Sequence, residues 1–107
     1  MKTRVLGIDP GFDRTGLGVI DQEGSRLNWI HHSCIQTKAG TDFSLRLQQM
    51  RDGVKAVIEE YKPESVVVEQ LFFQNNAKTA IHVGMARGVI LLAIADAGLR
   101  LVELTPN

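Results

Sequence analysis

The sequence predicts an α/β domain built on a mixed five-stranded sheet flanked by helices, and three observations lead there. The first 36 residues hold three apolar runs separated by turn residues. Leu47, Met50, Val54, Val57, Ile58 and Tyr61 recur at three- and four-residue spacing, the period of a helix face. Ser65-Val66-Val67-Val68 is a β-branched run of the kind buried in parallel strands.

Taken in order, Arg4 to Asp9 reads as a strand closed by Pro10-Gly11, a turn pair. Residues 15–21 resume the strand pattern, and Glu23-Gly24-Ser25 turns the chain into a third antiparallel strand over 26–36. A polar linker, 38–43, precedes a helix that Ser44 can cap and Pro63 stops. Ser65 to Gln70 forms strand four, residues 71–76 continue nothing regular, and Ala77 to Ala97 turns helical again. Gly98 stands at the C-cap of that helix, and Leu99 to Leu104 forms the last strand. The predicted order is β-β-β-α-β-α-β, without repeats or an internal linker.

A chain of 107 residues, 44% hydrophobic, supports one core, so residues 1–107 are expected to form a single domain. Two helices are few for covering both faces of such a sheet, and the domain is therefore expected to be incomplete at its carboxyl end. No apolar run is expected to approach the roughly 18 to 20 residues that cross a bilayer, and Met1-Lys2-Thr3-Arg4 leads into a strand rather than a signal segment. The expectation is a cytoplasmic protein with no membrane partner. Cys34, the single cysteine, has no internal disulfide partner and is expected to be a small buried apolar residue. Twelve basic and twelve acidic residues cancel, which argues against a strong general affinity for nucleic acid. Carboxylates of a metal site would nonetheless offset basic residues in that count while favouring phosphate once a cation is bound.

Strand alternation puts Val5, Gly7 and Asp9 on one face, with Asp9 at the carboxyl end. Val67 and Glu69 share a face in strand four in the same way. If a right-handed crossover lays strand four beside strand one, both carboxylates project from adjacent strand ends about 4.8 Å apart. Hard divalent cations prefer such oxygens, and a pair of ions about 3.5 to 4 Å apart can clamp the attacking and leaving oxygens of a phosphodiester. Asp9 suits the bridging role. The plainer alternative is that Asp9 caps the turn before Pro10 and Glu69 makes an exposed ion pair.

Gly7, Gly11, Gly16 and Gly18 surround Asp9 and permit a sharp turn. A Gly-Ile-Asp-x-Gly opening also begins the phosphate-binding hairpin of sugar kinases and actin-like ATPases, so it does not by itself separate nuclease from nucleotide binder. The combination is more specific. Gly7-Ile8-Asp9-Pro10-Gly11, Thr15-Gly16-x-Gly18-Val19-Ile20, Val68-Glu69-Gln70-x-Phe72, and Asn76-Ala77 leading to Ala86-Arg87-Gly88 together resemble the RuvC family of crossover junction endodeoxyribonucleases. The resemblance covers essentially the whole chain.

It implies an RNase H-like fold and a homodimer that nicks a four-way (Holliday) DNA junction symmetrically, with the branch-migration proteins RuvA and RuvB as partners. It also implies that Asp9 and Glu69 are two of four acidic ligands for magnesium, with manganese as the alternative ion. In the family the other acidic pair lies on a helix beyond the point where this chain stops, so the chain alone is expected to be weak or inactive.

Phe72 is expected to touch DNA at the junction centre, with Gln70 and Asn76 nearby, and Phe73 to pack. Arg14, Lys78 and Arg87 are candidates for phosphate contact, against the ordinary reading of solvated surface. In the second helix Ala77, Ala80, Gly84 and Gly88 form a small-residue stripe beside a bulky one of Ile81, Met85, Val89 and Leu92. Two apolar stripes exceed what one sheet face needs, and Ala80, Gly84, Met85 and Gly88 are the candidate dimer contact. His31, His32 and His82 lack metal-ligand spacing to either carboxylate and receive no role. The rival readings are a junction-binding fragment that does not cut, and a related nuclease acting on RNA.

Overall fold

The computed structural model describes residues 1–69 and 77–104. The elements are β1 (Lys2–Asp9), β2 (Arg14–Glu23), β3 (Arg26–Gln36), α1 (Phe43–Tyr61), β4 (Ser65–Glu69), α2 (Ala77–Asp96) and β5 (Arg100–Leu104). They form a five-stranded sheet in the order β3-β2-β1-β4-β5. The β1–β2 and β2–β3 pairs are antiparallel, and β4 runs parallel to both β1 and β5.

This order decides where the helices lie. β3 is parallel to β4, and the steps from β3 to β4 and from β4 to β5 move the same way across the sheet. Crossovers between parallel strands are almost always right-handed, so both steps put their helix on the same face. Burial agrees: Leu6, Ile8, Leu17, Val19, Val66 and Val68 form one cluster with Val54 and Ile58 of α1 and Ile90 and Ile94 of α2. At the start of β1 the same face ends in a polar pair. Arg4 stands opposite Asp21 and donates from Nε at 2.7 Å and Nη2 at 2.9 Å. The other face carries Gly7, Asp9, Gly16, Gly18 and Glu69 and has no helix over it among the described residues, leaving Trp29 71% exposed.

α1 buries Arg46, Met50, Val54 and Ile58, a four-residue repeat. Its N-cap is Asp42 rather than Ser44, which lies inside the helix; the Arg46 amide donates to the Asp42 carbonyl at 3.0 Å. The chain leaves the helix at Lys62, in the left-handed region at φ 50, one residue before Pro63. Gly98 has φ 70 and closes α2 as a C-cap glycine should.

Three further expectations need correction. The face of α2 that packs on the sheet is Val83, Ala86, Ile90, Ala93 and Ile94, a third stripe. Neither stripe singled out from sequence is the core stripe, because a helix apolar nearly all round carries no period that selects a face. For the same reason Lys78–Asp96 is long and apolar enough to cross a bilayer by length and composition, contrary to the expectation that no segment is. Its buried residues here pack against strands. Cys34 is exposed, not buried: it pairs with Gly16 on the uncovered face of the edge strand β3.

Candidate metal centre

The β1–β4 register sets Ile8 opposite Val68, which makes Asp9 and Glu69 the next neighbours at the carboxyl ends of two parallel strands. Strand spacing of about 4.8 Å is the separation at which two carboxylates can share a cation. Both residues are exposed, while the residues before them, Ile8 and Val68, are 4% and 0% exposed. Rigid, buried strand ends thus carry solvent-facing acids. The same row continues across the sheet, with Asp9 opposite Gly16 and Glu69 opposite Leu104.

Asp9 and Glu69 line one open depression of about 630 Å³, floored by Gly7, Gly16 and Gly18 and edged by Trp29. No side chain rises from the glycines, so backbone is open there, with Val67 and Ile20 lining the depression beside it. Neither carboxylate enters an ion pair or hydrogen bond with a described residue. Like charges side by side on neighbouring strands repel, and a divalent cation reverses that repulsion. The donor set therefore fits a hard metal ion. Among the described residues no group of three or more His, Cys, Asp or Glu gathers around one point, so the described centre consists of these two acids.

The loop that follows Asp9 is held tightly. Thr15, 1% exposed, donates from Oγ1 to the Gly11 carbonyl at 2.8 Å, closing the turn. A Cβ on Gly11 would sit 2.1 Å from the Arg14 carbonyl oxygen, so the turn admits glycine alone without a backbone shift. Arg46, 7% exposed, reaches the loop from α1. It donates to Asp13 Oδ1 at 2.5 Å, and to Thr37 Oγ1 at 3.0 Å and the Thr37 carbonyl at 3.2 Å. Its guanidinium lies 3.8 Å from the Phe12 ring centroid. Thr37 in turn donates to the Phe12 carbonyl at 2.7 Å. Phe12 also packs on Phe43 and, at 4.6 Å between centroids, on His82 of α2. The sequence reading overlooked Arg46 and gave His82 no role. A signal for Arg46 was present: it falls on the apolar repeat Arg46-Met50-Val54-Ile58, where a charge must be buried.

The remaining candidates scatter. Gln70, Phe72, Phe73 and Asn76 lie outside the described residues. Arg14 is exposed at the start of β2, near Asp9 in sequence, and Lys78 is exposed in the first turn of α2. Arg87 is half-buried and ion-paired with Glu103 of β5, and its Nε has no hydrogen-bond partner among the described residues. The cation is thus already matched to an acid. On α2, Gly84, Met85 and Gly88 are exposed and Ala80 half-buried, and Ile81 and Leu92 are 57% and 58% exposed.

Comparison with known proteins agrees with this geometry. Residues 5–107 match the family model described as crossover junction endodeoxyribonuclease RuvC. Proteins of that name from Brevibacillus brevis and Rubrobacter xylanophilus are 48% and 49% identical over 103 and 105 residues. These alignments cover 96% and 98% of this chain but 62% and 59% of the relatives, so the chain spans about three-fifths of their length. The structure of T. thermophilus RuvC in complex with Holliday junction substrate superimposes with a TM-score of 0.88 at 30% identity, covering 97% of this chain and 65% of that one. The five-stranded mixed sheet with its helices is the RNase H-like architecture the resemblance implied, and the chain belongs to the RuvC family of crossover junction endodeoxyribonucleases.

Proposed function

We propose that this chain carries the Asp9–Glu69 part of a divalent-metal centre that hydrolyses phosphodiesters in four-way DNA junctions. The observation that carries the reading is the adjacency, at the ends of β1 and β4, of two carboxylates without an ion-pair partner among the described residues, beside three glycines that leave backbone open. Asp9 and Glu69 would hold the ion, magnesium or manganese. Bound there, such an ion supplies Lewis-acid stabilisation of the charged phosphate and lowers the pKa of a coordinated water. The protein's own part is to fix the two acids on buried strands, keep the glycine floor open to a sugar-phosphate backbone, and hold the loop after Asp9.

Holliday junction DNA is the substrate named for the T. thermophilus relative. A two-fold junction suits a two-fold dimer. The exposed Ile81, Met85 and Leu92 of α2 support a homodimer through that helix, around Ala80, Gly84 and Gly88. RuvA and RuvB as partners, and a cytoplasmic location, are part of the same proposal, with family membership as their support. Arg14 and Lys78, both exposed, are the further candidates for phosphate contact, and Arg87 is one that would have to leave Glu103.

A second reading has one observation in its favour. Because no third ligand joins Asp9 and Glu69 among the described residues, the chain would then bind junctions without cutting them. Both readings meet in one experiment. A labelled synthetic four-way junction and a linear duplex of the same sequence are incubated with magnesium and either the parent chain or Asp9→Asn. Paired nicks in the junction alone, lost in Asp9→Asn, establish the nuclease; a shifted but uncut junction establishes the binding reading; neither result leaves both without support.

A further inference from the structure

We propose that Arg46 is the positioning residue of this centre: through Asp13, Thr37 and Phe12 it holds the loop after Asp9 and so fixes where the Asp9 carboxylate stands. The inference rests on the reading of Asp9 and Glu69 as metal ligands, and it assigns a task to a residue far from them in sequence.

Asp9 is the last residue of β1, so beyond it only the 10–13 loop governs the direction of the chain. That loop has few internal ties. Thr15 closes its base through the Gly11 carbonyl, and its outer part, Phe12 and Asp13, is held from outside. Arg46 takes both sides of it, with Nη2 on Asp13 Oδ1 and the guanidinium plane against the Phe12 ring. Nε and Nη2 also grip Thr37, whose amide donates to the Asp13 carbonyl at 3.0 Å and whose hydroxyl donates to the Phe12 carbonyl. One guanidinium therefore joins the first turn of α1, the end of β3 and the loop after Asp9.

Burial of Arg46 has a cost that a purely structural side chain at this position would not need to meet. The neighbouring turns of α1 fill the same stripe with Met50, Val54 and Ile58, and any of these types would complete the core at position 46. A buried guanidinium is retained where its planar fork does what an apolar group cannot: several directed bonds together with stacking on a ring. All of those contacts end on the Asp9 loop or on Thr37, which binds the same loop. His82 packs against Phe12 at a tilt from α2, the helix that follows the segment after Glu69. The clamp thus connects the chain leaving one carboxylate with the chain returning from the other.

Arg46→Lys tests this, because an ammonium keeps the charge but cannot make the forked contacts or the flat stack. In the 107-residue chain two quantities are read. One is amide exchange at Thr37, whose hydrogen bond ends on Asp13, compared with Leu6 and Val66 in the sheet. The other is the dissociation constant for magnesium, followed by fluorescence of Trp29, the single tryptophan, at the edge of the same depression. Arg46→Lys is expected to speed exchange at Thr37 alone and to weaken magnesium about tenfold, the range seen when groups behind a ligand are removed. Arg51→Lys, an exposed arginine of the same helix that pairs with Asp52 and not with the loop, is expected to leave both near the parent values. Uniformly faster exchange throughout the sheet with unchanged magnesium affinity would make Arg46 an ordinary core residue and overturn the proposal. If Asp9→Asn binds magnesium as tightly as the parent, the metal reading fails separately, and Thr37 exchange in Arg46→Lys still decides whether Arg46 holds the loop.

Discussion

Ile8 on β1 lies directly opposite Val68 on β4, and this register sets the two candidate ligands, Asp9 and Glu69, side by side. Both residues are buried under the helices, so a slip of one position in either strand would turn that strand's acid, Asp9 or Glu69, into the core and is forbidden by the charge it would bury. The core thereby aligns the site. Asp9→Asn and Glu69→Gln are each expected to weaken magnesium binding by about tenfold or more. Without metal, each should leave the thermal midpoint unchanged or raise it, since one of two neighbouring like charges is removed. Calorimetric titration and melts in chelator at low ionic strength check both signs; a variant that melts earlier without metal would show that the carboxylate serves the fold.

The glycines around Asp9 are not equivalent. Gly11→Ala would set a Cβ against the Arg14 carbonyl at 2.1 Å, whereas Gly16→Ala would meet only Asp9 Cβ at 3.7 Å, an ordinary contact. Gly11→Ala is therefore expected to cost about 1 to 3 kcal/mol, typical of forced overpacking, and to weaken magnesium as the turn shifts. Gly16→Ala should fold normally. Urea titration of both variants decides; equal stability of the two would mean that the turn relaxes freely.

Sequence alone went far where alternation is strict. Leu6 and Ile8 against Gly7 and Asp9, and Val66 and Val68 against Val67 and Glu69, sort core from site by a period of two, and the structure keeps that sorting. It failed where the pattern carries no phase. α2 is apolar on nearly every side, so its packed stripe, Ala86-Ile90-Ala93-Ile94, depended on where the crossover laid it. Cys34 illustrates a second cause, because its face follows from the β3 register, which shifts at a bulge between Val19 and Ile20. Arg46 and His82 belong to a tertiary contact between three elements, and nothing local to either residue specifies its partners.

The outward face of α2 supplies an oligomerisation test. Ile81 and Met85 are 57% and 47% exposed, and neither is part of the buried core cluster. Ile81→Glu and Met85→Glu are expected to change monomer stability by no more than about 0.5 kcal/mol, as surface substitutions do. Sedimentation of the parent chain at micromolar concentration should show a dimer, and that of either variant a monomer. A monomeric parent would remove α2 as the partner-binding helix.

Arg4 and Asp21 close the core at the far end of β1 from the centre, and their charges predict a pH dependence. Asp21 is 3% exposed, and the Arg4 guanidinium beside it holds its carboxyl below the usual carboxylate range, with Lys2 contributing at 3.8 Å. A carboxyl whose folded pKa is depressed binds its proton more readily in the unfolded chain. Its stabilising effect is therefore fully present above the unfolded value of about 4 and is lost as pH falls through the lower folded value. Asp21→Asn should be less stable than the parent near neutrality, because Arg4 keeps its charge without an ionic partner. The two should converge as the solution is acidified below about pH 4, where the parent loses the same charge. Urea midpoints of both chains across that range give the test: a gap that stays constant down to strong acid would mean that Asp21 contributes through shape and hydrogen bonding, and that its ionisation does not matter to the fold.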